Sequence, residues 1–354
     1  MKKTFSRMVT LMIVAGLCGS ATWAGDFSPG KGGQAEAGIK DAGIPGFVGP
    51  AGAGVTADGV NGNYLNPIFV GWATGVVSGS YRPSDEVGRY GMGGIGEQFA
   101  DPAAALGPIS GDVMDVVSLG DMNLAKIAAH LAGTPGAVAP GTITLTFDKA
   151  IRNVSGAGAD FVVFSNGFVS DGTAGPGAVA GLVWAELAYV EVSTDGVHFA
   201  RFPSEYTNFP NADMANKVNS WIDLNGTGTR EPTAYLSQDV SNIYNLAGKH
   251  CNAYGISWGT PFDLDDLLTH ELVLAGLVNL SEINFVRIVD IPGDGSFFDS
   301  HDNRIFDGWV TWGSGGFDLA GIGVIHQVPE PATMCLLLVG GWGLCFRYRK
   351  RPQT

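Results

Sequence analysis

Charged side chains and cysteines are both scarce in this chain of 354 residues. Only 15% of the residues are charged, and 34 acids outnumber 20 bases, which gives a formal net charge of −14. The shortage of bases argues against binding to nucleic acid, which requires clustered Lys and Arg. The six histidines are scattered without the spacing of a zinc site. Three of the four cysteines lie in the apolar ends, so Cys251 has no partner for an internal disulfide.

Hydrophobic runs long enough for an ordinary membrane helix are also lacking, although 45% of the residues are hydrophobic. This apolar content excludes a disordered acidic chain. The 53 glycines and 18 prolines follow no collagen-like period. The composition therefore predicts a loop-rich, mostly β protein with a hydrophobic core.

The first 24 residues have the pattern of a secretory signal peptide. Three bases, Lys2, Lys3 and Arg7, precede an apolar stretch from Met8 to Cys18. A small-residue cleavage site follows, with Ala24 as the expected last residue of the signal. An uncleaved anchor or a buried strand is the alternative interpretation.

The C-terminus has three consecutive features. Val328-Pro329-Glu330-Pro331 precedes an apolar run over residues 332–346, and four bases follow it: Arg347, Arg349, Lys350 and Arg351. The apolar run predicts a short transmembrane helix, and the bases would hold the extreme C-terminus in the cytoplasm. A plain tail anchor preceded by chance prolines is the alternative.

This order of Pro-Glu-Pro, short apolar segment and Arg-rich end resembles the PEP-CTERM sorting signal of Gram-negative bacteria that make exopolysaccharide. The resemblance implies recognition by a membrane-embedded exosortase and cleavage near Pro329-Glu330-Pro331. It also implies transient anchoring in the inner membrane, followed by release to the cell surface or the extracellular matrix.

Between the two ends, the pattern predicts a Gly-rich arm at residues 25–80 and a β-sandwich at residues 81–327, before the sorting signal at 328–354. Strands are expected where polar and apolar residues alternate or where short apolar runs lie between turns. The segments that meet this description are 142–147, 160–164, 188–193, 283–290 and 320–325. Two short helices are expected, at 122–131 and 263–277.

Several segments resemble the ectodomains of bacterial surface proteins that are often paired with this sorting signal. They include Val116–Gly120, Gly158–Phe164 and Gly315–Leu319. The hairpin Glu191-Val-Ser-x-Asp195-Gly196 is similar to those of discoidin-like, galactose-binding-like jelly rolls. The resemblance implies a jelly-roll form of the sandwich, but it implies no ligand. The spacing of the short strands predicts long Gly- and Asp-rich loops between them.

An acidic loop near the C-terminus is the candidate metal site. Its five aspartates are Asp290, Asp294, Asp299, Asp302 and Asp307. Their mutual repulsion favours a neutralising ion, and Ca²⁺ accepts six to eight oxygens in irregular loops. The hypothesis is a structural Ca²⁺ site, and the alternative is a solvated loop of Asx turns. A second stretch from Asp223 starts like a calcium loop but has Ala234 at the position of the bidentate acid, which favours a polar turn.

Other motifs have weaker context. Ser257 lies in a G-x-S-x-G pattern without a clear strand before it, and Gly91–Gly96 matches G-x-G-x-x-G without a βαβ unit. Trp309 and Trp312 follow the acidic loop and are the candidate ligand-binding rings, although strand aromatics more often fill cores.

Together these features predict an exported surface or matrix protein that binds or is embedded in exopolysaccharide and is not an enzyme. The alternatives are a structural biofilm protein without a defined ligand and, as the weakest option, an exported hydrolase. Without the two processed ends, 33 acids face 13 bases, a net charge of −20. That excess of negative charge suits a protein that attracts divalent cations.

Overall fold

The structure is a computed structural model that describes most of the central part of the chain. The described residues are 68–88, 94–110, 112–173, 177–208, 236–249, 259–311 and 313–329, with the strand residues 47–48, 252–253 and 256–257. Several predicted features lie outside them: the signal peptide with Ala24, the stretch from Asp223 to Ala234, Cys251, Trp312, and the segment from Glu330 onward.

Strands dominate the described residues, which confirms the all-β fold class. The strands are β1 Phe47–Val48, β2 Gly71–Trp72, β3 Gly75–Val76, β4 Glu86–Val87, β5 Gly94–Ile95, β6 Val117–Ser118, β7 Thr142–Ile151, β8 Phe161–Ser165, β9 Phe168–Val169, β10 Val183–Trp184, β11 Ala188–Ser193, β12 Ala200–Arg201, β13 Glu205–Tyr206, β14 Ser237–Gln238, β15 Ile243–Tyr244, β16 Asn252–Ala253, β17 Ile256–Ser257, β18 Thr260–Phe262, β19 Ile283–Asp290, β20 Asp294–Phe298, β21 Arg304–Phe306 and β22 Asp318–Val324.

Two five-stranded antiparallel sheets form the body of the sandwich. The first sheet has the order β12-β11-β19-β7-β3, and the second has β18-β8-β22-β2 with β6 also paired to β22. The longer strands β7, β8, β11, β18, β19 and β22 alternate between the two sheets along the chain. Each connection therefore crosses from one layer to the other. The jelly-roll topology itself stays a prediction.

The main core lies between the two sheets. Ile143, Val190 and Ile288 of the first sheet pack with Phe161 and Leu319 of the second, all of them buried. Strand β8 is buried along its whole length because residues 94–110 cover its other face. Because both faces of β8 are covered, its sequence is a continuous apolar run and does not alternate between polar and apolar residues.

Helices are few and short in the described residues. The first predicted helix is present as α1 (Leu124–Leu131), and Asn123 caps it by accepting a hydrogen bond from the Lys126 N–H at 3.0 Å. The second prediction is wrong as a single helix. A 3₁₀ helix at Leu264–Leu267 ends before a separate short helix, α2 (Glu271–Leu274), because His270 caps a new start at the Leu272 N–H.

The sandwich begins earlier in the chain than the composition suggests. Strand β2 pairs with β22 in the second sheet, and β3 pairs with β7 in the first. Both precede residue 81, where the Gly-rich arm was expected to give way to the sandwich. Short strands that contain glycine carry too weak a pattern to show this pairing.

Candidate functional site

Seven buried carboxyl side chains form the most unusual polar feature of the sandwich, here called the carboxyl cluster. They lie at strand ends and in the connecting loops, and none is more than 7% exposed. The members are Asp85, Asp121, Glu186, Asp290, Asp294, Asp307 and Asp318. Each has an electrostatic interaction with at least one other member. The fold therefore gathers acids from widely separated parts of the chain.

Thr311 connects two members of the cluster. Its backbone N–H donates to Asp121 Oδ2 at 2.9 Å, and its hydroxyl donates to Glu186 Oε1. The hydroxyl oxygen also accepts a hydrogen bond from the Gly316 N–H at 3.1 Å. A backbone N–H group also holds Asp290, whose Oδ1 accepts a hydrogen bond from the Phe317 N–H at 2.7 Å.

One oxygen of several cluster carboxyls is buried without a hydrogen-bond partner. These atoms are Glu186 Oε2, Asp290 Oδ2 and Asp318 Oδ1. A buried polar atom left unpaired costs about 1–3 kcal/mol, and more when it carries charge. The cluster therefore requires neutralisation by a bound proton or a cation.

The electrostatics of the cluster favour the protonated form. Burial raises the pKa of Asp121 well above its usual value, and the charge of Asp290 raises it further. Burial likewise raises the pKa values of Glu186, Asp290 and Asp307, and it raises the pKa of Asp318 to about 7. Lys126 forms an ion pair with Asp85. Among the described residues, no base forms an ion pair with Asp121, Glu186, Asp290 or Asp318.

The predicted five-aspartate site is only partly present. Asp290, Asp294 and Asp307 join the carboxyl cluster, but Asp299 accepts hydrogen bonds from the N–H groups of Tyr206 and its own turn. Asp302 is exposed to solvent. The structure therefore does not bring all five aspartates together, because the β20–β21 hairpin separates Asp299 and Asp302 from the other three.

Sequence reasoning missed four partners of this loop: Asp85, Asp121, Glu186 and Asp318. Two of them border segments already singled out, since Asp121 follows Val116–Gly120 and Asp318 lies in Gly315–Leu319. The cluster supplies carboxylate oxygens, the ligand type that Ca²⁺ prefers. As the side chains stand, however, no three His, Cys, Asp or Glu residues of the described part are arranged to coordinate one metal ion.

The remaining candidates occupy structural positions. Trp309 is 2% exposed, and its indole N–H donates to the Met122 carbonyl at 2.9 Å. This burial contradicts the expected role of Trp309 as a surface stacking ring. Ser257 lies inside strand β17, which pairs with β1 and β16. The next element is another strand, β18, whereas a nucleophile elbow requires a helix after the serine.

The C-terminal end of the sandwich leads directly into the Pro-Glu-Pro segment. After β22 ends, Gln327 forms a β-bridge with Ile151, and the Val328 N–H donates to the Ala150 carbonyl at 2.9 Å. The chain therefore stays attached to β7 up to residue 328. Pro329 is the last described residue.

Residues 327–350 match the family model of the PEP-CTERM protein-sorting motif. The PEP-CTERM motif confirms the resemblance noted for the C-terminus. It supports export, transient anchoring of the C-terminus in the membrane, and processing by an exosortase. No curated protein matches the chain.

The PEP-CTERM motif lies mostly outside the described residues, including Glu330, Pro331, Arg347, Arg349, Lys350 and Arg351. Within the residues that are described, no helix has the length and apolar character needed to cross a membrane. The short transmembrane helix expected at 332–346 stays a prediction.

Proposed function

We propose that this protein, after sorting, resides at the cell surface or in the extracellular matrix and binds exopolysaccharide without acting as an enzyme. The observation that carries the proposal is the PEP-CTERM motif, attached directly to the last pairing of the sandwich at Val328. Cleavage after this point would leave the two sheets intact, because every described strand precedes it.

The environment of Ser257 supports the non-enzymatic part of the proposal. A serine nucleophile needs an exposed position on a sharp turn between a strand and a helix. Ser257 instead pairs with Phe47 and with Asn252 on both sides of its strand. The exported hydrolase is therefore the weakest of the alternatives.

Calcium is proposed as the structural ion of the carboxyl cluster. The unpaired oxygens of Glu186, Asp290 and Asp318 support this assignment, because Ca²⁺ would supply the positive charge that these buried groups lack. Binding requires the carboxyl groups to turn toward a common point. Protonation of the same groups is the competing form of the cluster.

The binding proposal is tested with full-length protein expressed in an exosortase-containing strain that makes exopolysaccharide. The protein released by the cells is collected and incubated with the purified polysaccharide. We expect it to sediment with the polysaccharide and to release no reducing sugar. A chain that ends at Val328 controls for sorting, since it should be exported but not anchored or processed.

Two outcomes contradict parts of the proposal. Released protein that stays in the supernatant favours the alternative of a structural surface protein without a defined ligand. Release of reducing sugar that a Ser257→Ala variant abolishes would instead favour the exported hydrolase.

A further inference from the structure

A groove of about 290 Å³ lies along the first sheet, on the side away from the main core. Strands β7 and β19 form its floor through Thr144 and Arg287, and the segment at 77–82 forms one wall. The loop of the β11–β12 hairpin forms the other wall with Gly196 and Phe199. The groove is separate from the carboxyl cluster, and none of the cluster residues lines it.

The charge of the groove is opposite to that of the protein. Its lining contains two arginines, Arg82 and Arg287, and no Asp or Glu. The chain as a whole has 34 acids and 20 bases. Among the described residues, the one acid that pairs with a groove arginine, Glu191, is buried beneath Arg287 and is shared with Arg201. The arginines therefore outnumber this acid, and the groove forms a local positive site on a negative protein, which attracts an anionic ligand.

Arg287 is held in place by a charged network across the sheet. Its Nε donates to Glu191, and its guanidinium carbon lies 3.8 Å from the centroid of the Phe199 ring. Glu191 also pairs with Arg201 on the neighbouring strand at 2.7 Å. One buried carboxylate therefore orients two arginines, and only Arg287 of these two lines the groove.

Arg82 is the freer of the two groove cations. It is exposed, and its Nε donates to the Gly79 carbonyl at 3.0 Å. Within the described residues, its two terminal nitrogens have no hydrogen-bond partner. An arginine oriented at Nε with both terminal nitrogens available is arranged to bind a carboxylate through two parallel hydrogen bonds.

Aromatic rings complete the groove. Phe199 and Phe285 line the groove and are half-buried, and the Arg287 guanidinium covers one face of the Phe199 ring. Ring faces pack against the apolar C–H faces of sugars, and arginines pair with sugar carboxylates. We propose that this groove binds an anionic glycan that contains uronic acid units. The inference rests on the proposed polysaccharide binding and adds its location and the charge class of the ligand.

The test compares binding of polygalacturonate oligosaccharides and neutral dextran to the released protein by calorimetry. We expect binding of the uronate and its weakening by added salt, because screening reduces the attraction of exposed charges. Arg82→Gln and Arg287→Gln should each weaken uronate binding about tenfold, as expected for the loss of one charge-assisted hydrogen-bond pair.

Arg201→Gln is the matched control. Like Arg287→Gln, this variant removes one positive charge and one contact with Glu191, but Arg201 lies outside the groove. Equal weakening by Arg82→Gln and Arg201→Gln would overturn the groove proposal, as would equally tight binding of dextran. If Arg287→Gln fails to fold, the exposed Arg82→Gln decides the result. Absence of binding to every polysaccharide, including the native one, would contradict the proposed function itself.

Discussion

Buried carboxyl groups dominate the electrostatics of this protein at the scale of single residues. Asp290 illustrates the arrangement, because one oxygen accepts the Phe317 N–H while the other is buried without a partner. The same division between an anchored and an unpaired oxygen occurs at Glu186. Such groups are costly as anions and become favourable when a proton or a cation neutralises them.

Calcium should therefore raise the melting temperature of the released protein relative to the same protein in EDTA. At a calcium concentration about 100 times the Kd, binding adds about 2.7 kcal/mol of stability. Asp290→Asn should remove most of this difference, because it replaces one charged ligand of the cluster. Thermal melts followed by circular dichroism measure the effect.

Asp302→Asn is the control for the calcium experiment. Asp302 belongs to the same acidic segment but is exposed and outside the carboxyl cluster. Its substitution should leave the calcium shift unchanged. A melting temperature of the unaltered protein that does not respond to calcium would contradict the calcium assignment.

At the scale of secondary-structure elements, the turns between strands have defined conformations and close packing, as the strands do. The turn before β22 passes close to the loop after β6, and Gly316 has a positive φ of +69° there. A Cβ atom on Gly316 would lie 2.2 Å from the Gly120 carbonyl oxygen. The same glycine donates to Thr311, which holds two cluster carboxyls. This turn therefore links the second sheet to the carboxyl cluster.

Gly316→Ala should destabilise the protein by about 3 kcal/mol or more, because a steric clash adds to the cost of a positive φ. Gly136→Ala is the matched control, since Gly136 has a φ of +78° with nothing within 4 Å of its Cβ position. That variant should lose only about 1–2 kcal/mol. Urea unfolding measures both, and equal losses would show that close packing at Gly316 contributes nothing.

The whole molecule combines a negative net charge with acids that the fold has removed from water. The pKa values of five cluster members are raised, and that of Asp318, one of the five, is raised to about 7. In the unfolded chain these groups ionise near their usual values of about 4. Between about pH 4 and pH 7 the folded protein therefore binds more protons than the unfolded chain, and its stability falls as the pH rises.

In EDTA, the free energy of unfolding should be higher at about pH 5 than at about pH 7.5, with each pKa unit contributing about 1.4 kcal/mol. Asp318→Asn should flatten this dependence, whereas Asp302→Asn should leave it unchanged. Calcium should reduce the difference by stabilising the ionised cluster. Stability that rises with pH in EDTA would contradict the protonated form of the cluster.

Local patterns in the sequence were sufficient to predict the strands with strong periodicity. β11 (Ala188–Ser193) and β19 (Ile283–Asp290) have the bounds that the alternation predicts. The order of residues in the C-terminal signal was also sufficient to predict the sorting motif, because such a motif is recognised from one linear segment. The pairing of two-residue strands such as β2 could not be predicted, since it depends on distant partners and not on the side chains of the strand itself.

The sequence by itself determined the all-β class, the hydrophobic core strands and the C-terminal sorting motif, because each depends on residues adjacent in the chain. Only the tertiary structure decided which acids lie together. The charge of Asp290 raises the pKa of Asp121 across 169 positions of sequence, while Asp299 and Asp302, which are close to Asp294 and Asp307 in sequence, lie outside the carboxyl cluster. Crossings between the two sheets set these distances. The same crossings bring Arg82 beside Arg287 in the groove.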